Sequence, residues 1–217
     1  MSQQLMQQLF GILLSVPAAL ISIAVHESAH GYVSYKLGDP TAKNLGRITL
    51  NPLKHFDLLG FICMVFFHIG WAKPVPVNPR YYKNPRKGMA ITAAAGPISN
   101  ILMALIFNIL MYLLFALTLI EGVWFYIILF CNFVVQINVS LAVFNLIPIP
   151  PLDGSRILSA FLSDRTYYKI MQYERYIYIG LLLLLFTGVL DTPINFLSGA
   201  IMSLLDIICN AVFSIFM

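Results

Sequence analysis

The chain has 217 residues, of which 59% are hydrophobic and only 10% are charged, and its formal net charge is +4. Soluble domains carry about 25% charged residues, so this composition excludes an ordinary water-soluble globule and predicts a protein of the lipid bilayer. The basic excess does not indicate nucleic acid, because the thirteen Lys and Arg lie in loops between apolar runs, as membrane topology requires. The length fits a single domain over residues 1–217.

Long apolar runs alternate with short polar loops along the whole chain. A bilayer is crossed by about 20 consecutive apolar residues in a helix, and five runs approach or exceed that length. The predicted spanning helices lie in Leu9–Lys36, Met89–Ile120, Gly122–Leu152, Tyr176–Leu190 and Thr192–Met217. The sequence therefore predicts an all-α membrane bundle of about five transmembrane helices.

Between the first two helices the pattern predicts structure that does not cross the bilayer. Leu58–Trp71 is apolar but shorter than a span of about 20 residues, which favours a re-entrant segment. Gly46–Pro52 alternates like a short strand, and the prolines within Trp71–Pro79 favour an extended edge segment. These two segments predict a small membrane-associated β element.

Charge then predicts the orientation. If Leu58–Trp71 does not cross, all the basic residues lie on one side of the membrane, while Glu121 and Asp191 lie on the other. The positive-inside rule assigns the basic side to the cytoplasm. Five crossings would then leave the N-terminus outside and the C-terminus inside.

The strongest motif is His26-Glu27-Ser28-Ala29-His30, within the first predicted helix. Positions i and i+4 share one helix face, so the two imidazoles can bind one zinc ion with Glu27 beside the open coordination position. Glu27 is also the first charged residue of the chain. An ionisable group within a membrane helix is costly and indicates function.

A catalytic zinc needs a third protein ligand and one open position. Asp153 is the best candidate, because Pro148, Pro150 and Pro151 end the preceding helix and free the backbone to direct its carboxylate inward. The alternative is that Asp153 caps a helix predicted at Ser155–Leu162.

Together these motifs resemble the site-2 protease family of intramembrane metalloproteases, in its small bacterial branch without PDZ or CBS domains. The resemblance is carried by the HExxH helix, Ala94–Pro97, Asn145–Gly154, Gly46–Pro52 and Gly70–Asn78. The family motif more often ends in Leu-Asp-Gly-Gly, whereas Ser155 follows Gly154 here.

The resemblance implies one zinc ion per chain, held by His26, His30 and Asp153, with Glu27 as general base and acid. It also implies that Asn145 contacts the substrate as an oxyanion or peptide partner. The implied substrates are single-spanning membrane proteins. The implied location is a bacterial inner membrane, with the active site opening toward the cytoplasm.

The sequence leaves three other functions open. A prenyl-processing type of membrane protease also uses HExxH, but takes a Glu from a later helix as its third ligand. A zinc transporter would carry polar ligands along several helices, and an inactive protease acting as a binding module would lack Glu27 or a ligand.

Two single residues lie outside the motifs. His55 lies in a polar loop and is interpreted as a surface residue, whereas Asp206 is an intramembrane acid and a candidate for function or helix pairing.

Overall fold

A computed structural model describes residues 3–67 and 72–214 of the chain. Over these residues the protein is helical, with nine α-helices, single 3₁₀ turns at Pro52–Lys54 and Pro79–Tyr81, and no β-strand. The helices are α1 Gln3–Lys36, α2 Thr41–Asn44, α3 Leu58–Phe67, α4 Pro85–Ala116, α5 Val123–Leu146, α6 Asp153–Ser159, α7 Asp164–Gln172, α8 Glu174–Phe186 and α9 Asp191–Phe213. The predicted all-α class is confirmed.

Within the described residues, four helices are long and apolar enough to cross a membrane. These candidate spans are Phe10–Lys36, Pro85–Ala116, Val123–Leu146 and Asp191–Phe213. Helix α8, predicted as a fifth span, has 13 residues. At a rise of about 1.5 Å per residue it covers roughly 20 Å, short of a hydrocarbon core of about 30 Å. The described residues therefore contain four candidate spanning helices rather than the predicted five or so.

Helices α1, α4 and α5 form the core of the bundle. Helix α4 is antiparallel to α1 and also to α5. Asn100 of α4 lies within hydrogen-bond distance of His26 of α1 and of Asn138 of α5. Further along, the rings of Phe107 and Phe130 pack with centroids 6.3 Å apart. Residue numbers therefore increase along α4 in the direction in which they decrease along α5, as a short connection between two long helices requires.

Helix α9 runs in the same direction as α4. The Asn108 amide of α4 donates hydrogen bonds to Asp206 Oδ1 at 3.1 Å and to Cys209 Sγ at 3.5 Å. One turn later on both helices, the rings of Tyr112 and Phe213 have centroids 5.8 Å apart. The intramembrane acid Asp206 therefore pairs with a neighbouring helix, which is one of the two roles expected for it.

This parallel packing corrects the predicted topology. Helix α5 is antiparallel to α4 and α9 is parallel to it, so the chain between Leu146 and Asp191 makes no net crossing of the bundle. The C-terminal end of α9 therefore lies at the same end as the start of α1, rather than at the end with the basic loops. Asp191, at the start of α9, lies on the side of the basic loops and not on the opposite side, where it was predicted.

The segment predicted as re-entrant contains helix α3, and residues 68–71, at its end, lie outside the described part of the chain. Its ten helical residues are too few to cross the bilayer, as expected. Whether it enters the membrane stays a prediction.

The predicted β element is wrong for the described residues. Residues 45–50 form turns and bends, and residues 72–78 have no regular secondary structure. We call residues 72–78 the extended segment, because Asn78 has extended backbone and the residues before Pro74 and Pro76 are restricted to it. The physical reason is a shortage of backbone donors, because the prolines at positions 74 and 76 leave isolated N–H groups instead of a ladder. Two of these groups, at Val75 and Asn78, donate to side chains instead.

Candidate metal centre and catalytic cleft

Three potential metal-ligand atoms converge beside helix α1. Two come from α1 itself, and the third comes from the distant start of α6. Helix α1 is continuous through the HExxH motif, so His26 and His30 present their rings on one face, with centroids 4.6 Å apart. Their Nε2 atoms are 3.0 Å apart, and each lies 3.2 Å from Asp153 Oδ2. The three side chains singled out in the sequence are thus brought together, although Asp153 is more than 120 residues away along the chain.

The hydrogen bonds at the Nδ1 atoms of His26 and His30 show which nitrogen of each ring carries the proton. His30 Nδ1 lies 2.7 Å from the Thr92 carbonyl oxygen, which can only accept, so Nδ1 carries the ring proton. His26 Nδ1 likewise donates to Asn100 Oδ1, at 2.5 Å. In neutral rings both Nε2 atoms then present lone pairs to each other and to Asp153, whose buried Oδ2 has no hydrogen-bond partner among the described residues. Three converging acceptors without a proton between them require a cation.

The donor set and its spacing fit zinc. Imidazole nitrogen and carboxylate oxygen bind zinc at about 2.0–2.2 Å, which in a tetrahedron separates neighbouring ligand atoms by about 3.3–3.6 Å. The observed separations of 3.0 and 3.2 Å are close to that range. The carbonyl and amide that hold the Nδ1 atoms also serve a metal, because they orient each ring and select its tautomer.

Asp153 reaches the cluster because helix α6 starts directly against the end of α5. A Cβ atom at Gly154 would lie 2.5 Å from the carbonyl carbon of Leu146, so only glycine allows this approach. The alternative role of Asp153 as a helix cap is wrong. Helix α6 begins at Asp153 itself, and the capping position belongs to Leu152.

One face of α4 supports both imidazoles, and the sequence analysis missed it. Thr92, Gly96 and Asn100 follow one another at four-residue spacing, and all three are buried. Asn100 also donates to Asn138 Oδ1 at 2.6 Å, and Asn138 donates to Ser22 Oγ at 2.7 Å, so three helices share one buried polar chain. The available signal was this i, i+4, i+8 series of small and polar residues within an apolar helix.

Gly96 provides a direct test of the cluster. A Cβ there would lie 2.5 Å from His26 Cε1 and 2.6 Å from His30 Nε2. We expect Gly96→Ala to weaken zinc binding by about 10- to 100-fold, because it displaces rings whose orientation determines affinity. Competition with a chelator of known affinity measures this change. The control is Gly199→Ala, where no described atom lies within 4 Å of the added methyl; wild-type affinity in both variants would contradict the proposed packing.

Glu27 stands apart from the three converging atoms. Its Oε2 accepts a hydrogen bond from the Val75 backbone N–H at 2.8 Å, so the extended segment over residues 72–78 orients this carboxylate. The side chain is half-buried and lines the same cavity as the histidines. Glu27 is therefore beside the cluster without being one of its three converging residues.

The cluster opens into a cleft with two lobes. A lobe of about 200 Å³ is bordered by Val75, and a lobe of about 490 Å³ is bordered by Leu181 and Leu185 of α8. Glu27 and Asn145 line both lobes. The sequence-predicted substrate residue Asn145 is therefore at the junction of the cleft, next to the acid.

His55 is buried, with 1% of its surface exposed, so its interpretation as a surface residue is wrong. Its Nε2 lies 2.9 Å from the carbonyl oxygen of Thr49, which also accepts a 2.5 Å hydrogen bond from Ser28 within the HExxH motif. These bonds fold the loop onto α1, which explains why a histidine in a polar segment is enclosed.

An apolar helical bundle with a His–His–Asp cluster, and with a glutamate nearby that is not one of its three ligand residues, is typical of the membrane-embedded zinc metalloproteases. The chain belongs to peptidase family M50, whose family model matches residues 123–187. The resemblance to site-2 proteases, the enzyme class and the zinc cofactor are thereby confirmed.

The relatives agree with this assignment, and each is described as a putative zinc metalloprotease. YwhC of Bacillus subtilis is 41% identical over 170 residues, which cover 77% of this chain and 78% of that protein. Rip2 of Mycolicibacterium smegmatis is 26% identical over 189 residues, covering 82% and 69%. MJ0611 of Methanocaldococcus jannaschii is 38% identical over 102 residues, covering 46% and 49%. No solved structure matches the chain significantly.

Proposed function

We propose that this protein is an intramembrane endopeptidase that hydrolyses peptide bonds in or near the transmembrane segments of single-spanning membrane proteins. In this proposal His26, His30 and Asp153 hold one zinc ion per chain. Glu27 acts as general base and acid, and Asn145 binds the substrate carbonyl.

The depth of the cluster carries the proposal. Helix α1 is unbroken to Lys36, and its apolar span extends over Phe10–Lys36. His30 and His26 precede Lys36 by six and ten residues, which places them roughly 9 and 15 Å below that charged rim at 1.5 Å per residue. A protease with its site at this depth meets peptide bonds that lie within the bilayer.

The side chains around the cleft divide the chemistry between them. Glu27 takes a proton from the attacking water and later delivers it to the leaving amine nitrogen as the C–N bond breaks. The Val75 N–H holds the carboxylate in place between these two transfers. Bound zinc supplies Lewis-acid activation of water and of the scissile carbonyl.

Asn145 supplies a neutral donor for the carbonyl oxygen. Its amide nitrogen donates to the Leu141 carbonyl at 2.9 Å, within its own helix. A rotation of the side chain turns that donor into the cleft that it lines, where it stabilises the charge developing on the substrate oxygen.

Orientation follows from charge and from the contacts of α9. No Lys or Arg follows Arg175, so the basic loops still lie on one side of the bundle when four helices cross rather than five. Asp153 lies in the connection between α5 and α9, on that side. Residues 72–78, whose Val75 N–H donates to Glu27, lie in the connection between α1 and α4, on the same side. We therefore assign the cleft opening to the cytoplasmic face of a bacterial inner membrane.

The substrate class is tested with purified protein in lipid vesicles. A single-spanning reporter should be cleaved within or next to its membrane segment by the wild type and left intact by Glu27→Gln. A reporter with an all-leucine membrane segment, which resists unwinding, should be cleaved more slowly, because helical hydrogen bonds shield its carbonyls. Hydrolysis of soluble peptides alone, with both membrane reporters intact, would overturn the proposed substrate class.

Thiol labelling tests the orientation, after replacement of the three native cysteines. We expect Leu152→Cys, in the cleft, to react with a hydrophilic reagent supplied from the cytoplasmic face, and Ser214→Cys to react only from the opposite face. Val139→Cys serves as the buried control, since this residue is 0% exposed and should not react from either side. Labelling of positions 152 and 214 from the same face would contradict the four-crossing topology.

A further inference from the structure

The Glu27 carboxylate depends on a segment that no sheet supports. The donor at Val75 belongs to the extended stretch over residues 72–78, which has no strand partner in the described part of the chain. Without a backbone ladder, this segment is held by separate hydrogen bonds: the Lys73 N–H donates to the His55 carbonyl at 2.9 Å, and the Val75 and Asn78 N–H groups donate to side chains. The atoms that anchor this stretch therefore also determine where the Val75 N–H points.

Asp39 is such an anchor. It lies three residues beyond the end of α1, and its side chain is completely buried. Its Oδ2 accepts hydrogen bonds from the Asn78 backbone N–H at 2.7 Å and from Ser34 Oγ at 2.9 Å. Its Oδ1 accepts from the Thr41 N–H at 2.9 Å and from the Thr41 hydroxyl at 2.5 Å. One carboxylate oxygen thus joins the extended segment to the HExxH helix.

Among the described residues Asp39 has no ion-pair partner, and hydrogen bonds compensate the charge of its carboxylate. Burial by itself would raise the pKa of Asp39, but the bonds from Thr41, Asn78 and Ser34 lower it below its ordinary value. The group is therefore ionised at neutral pH, and bonds to an ionised acceptor are the strong ones. Replacing it removes four bonds at once and leaves buried donors without an acceptor.

The same network reaches the metal cluster by a second route. Ser34 Oγ is 2.7 Å from the Tyr82 hydroxyl, which is 3.1 Å from Thr92 Oγ1. The carbonyl of Thr92 accepts the Nδ1 proton of His30. Asp39 therefore lies at the branch between the segment that holds the general base and the helix that holds one imidazole.

We propose that Asp39 is a positioning residue for proteolysis, which fixes the extended segment so that the Val75 N–H holds Glu27 in the geometry for proton transfer. The proposal rests on the role assigned to Glu27 in the proposed function. Asp39 contacts neither Glu27 nor any of the three ligands directly and orients Glu27 through Asn78 and Val75, so its effect is expected on the chemical step rather than on substrate binding.

The test compares Asp39→Ala and Asp39→Asn with the wild type in lipid vesicles. We expect Asp39→Ala to lower kcat by about 10- to 100-fold, the range for groups that orient a metal site from outside it. We expect KM to change by less than about twofold and zinc to stay at one per chain, because neither substrate contacts nor ligands are altered. Asp39→Asn keeps a carbonyl acceptor and should recover part of the lost kcat.

A second readout does not depend on activity. Hydrogen exchange at the Val75 and Asn78 amides should accelerate in Asp39→Ala, also in a Glu27→Gln background that cannot turn over. The matched control is Asn108→Ala, which removes a buried polar side chain, 2% exposed, from the α4–α9 contact. This control should lose stability without changing kcat or the exchange at positions 75 and 78.

The variant Val75→Pro completes the design, because it removes the donor to Glu27 and leaves Asp39 untouched. We expect it to reproduce the loss in kcat, and the double variant with Asp39→Ala to be no slower than the slower single variant. Multiplicative losses, unchanged exchange at position 75, or loss of zinc in Asp39→Ala would each overturn the proposal. If the wild type cleaved no membrane substrate, the proposed function would fail, while the exchange result would still report whether Asp39 holds the segment.

Discussion

Glu27→Gln is expected to abolish proteolysis while the protein keeps its fold and one zinc ion per chain. Glutamine has the length of glutamate, and its carbonyl oxygen can still accept the Val75 N–H that lies 2.8 Å from Oε2. It cannot accept the proton of the attacking water, so the rate should fall by about 10²- to 10⁴-fold, the usual contribution of a positioned general base. Cleavage of a membrane reporter and elemental analysis of the same preparation measure the two effects.

Glu121→Gln is the matched control for this experiment. Glu121 is exposed in the connection between α4 and α5, at the end of the bundle away from the cleft, so its neutralisation should leave the rate unchanged. A Glu27→Gln preparation that is free of wild-type enzyme and still substantially active would eliminate Glu27 as the base. That result would leave the assignment of the metal ligands unchanged, because the Glu27 carboxylate does not supply one of the three ligand atoms.

Asp153→Ala should remove most of the zinc. The carboxylate supplies one of three converging atoms, and its Oδ2 lies 3.2 Å from both imidazole nitrogens. Even groups that only orient ligands change metal affinity by about 10- to 100-fold, so deletion of a ligand should exceed about 100-fold. Zinc content after dialysis against a weak chelator should fall from one per chain to a small fraction of that value.

His30→Ala should behave in the same way, because it removes another of the three atoms. The control is Asp191→Ala, which deletes an exposed carboxylate at the start of α9, outside the cluster. Full zinc occupancy in Asp153→Ala would show that the third ligand comes from elsewhere in the chain. The alternative with a glutamate ligand from a later helix would then return, and Glu174 would be the next residue to replace.

The comparison of sequence and structure separates two kinds of inference about the site. The spacing of His26 and His30 is enough to place both rings on one face, because helix periodicity is a local property. The proline-rich end of α5 indicated that Asp153 could be directed inward. By contrast, Asn100 and Gly96 acquire their roles only when α4 packs against α1, and no local pattern reports which helix faces which.

Backbone chemistry explains why the β element was predicted and not observed. Alternation and prolines are compatible with an extended edge segment, and residues 72–78 are neither helical nor paired in a sheet, with extended backbone at Asn78. Pairing also needs a run of free N–H groups. The Lys73 N–H donates to the His55 carbonyl, and the N–H groups of Val75 and Asn78 are taken by the carboxylates of Glu27 and Asp39. Those carboxylates come from α1 and the turn after it, so their arrival could not be read from the segment itself.

The membrane class, the long apolar helices and the HExxH motif can be read from the sequence, because composition, hydrophobic length and helical period act over short stretches of chain. The number of candidate crossings and the direction of α9 depend on the folded structure. An apolar run shows that a helix can enter a bilayer, whereas its contacts, such as those of Asp206 and Phe213 with α4, show which way it runs. The tertiary structure likewise decided that His26, His30 and Asp153 meet, since such long-range proximity is a consequence of packing and not of local propensity.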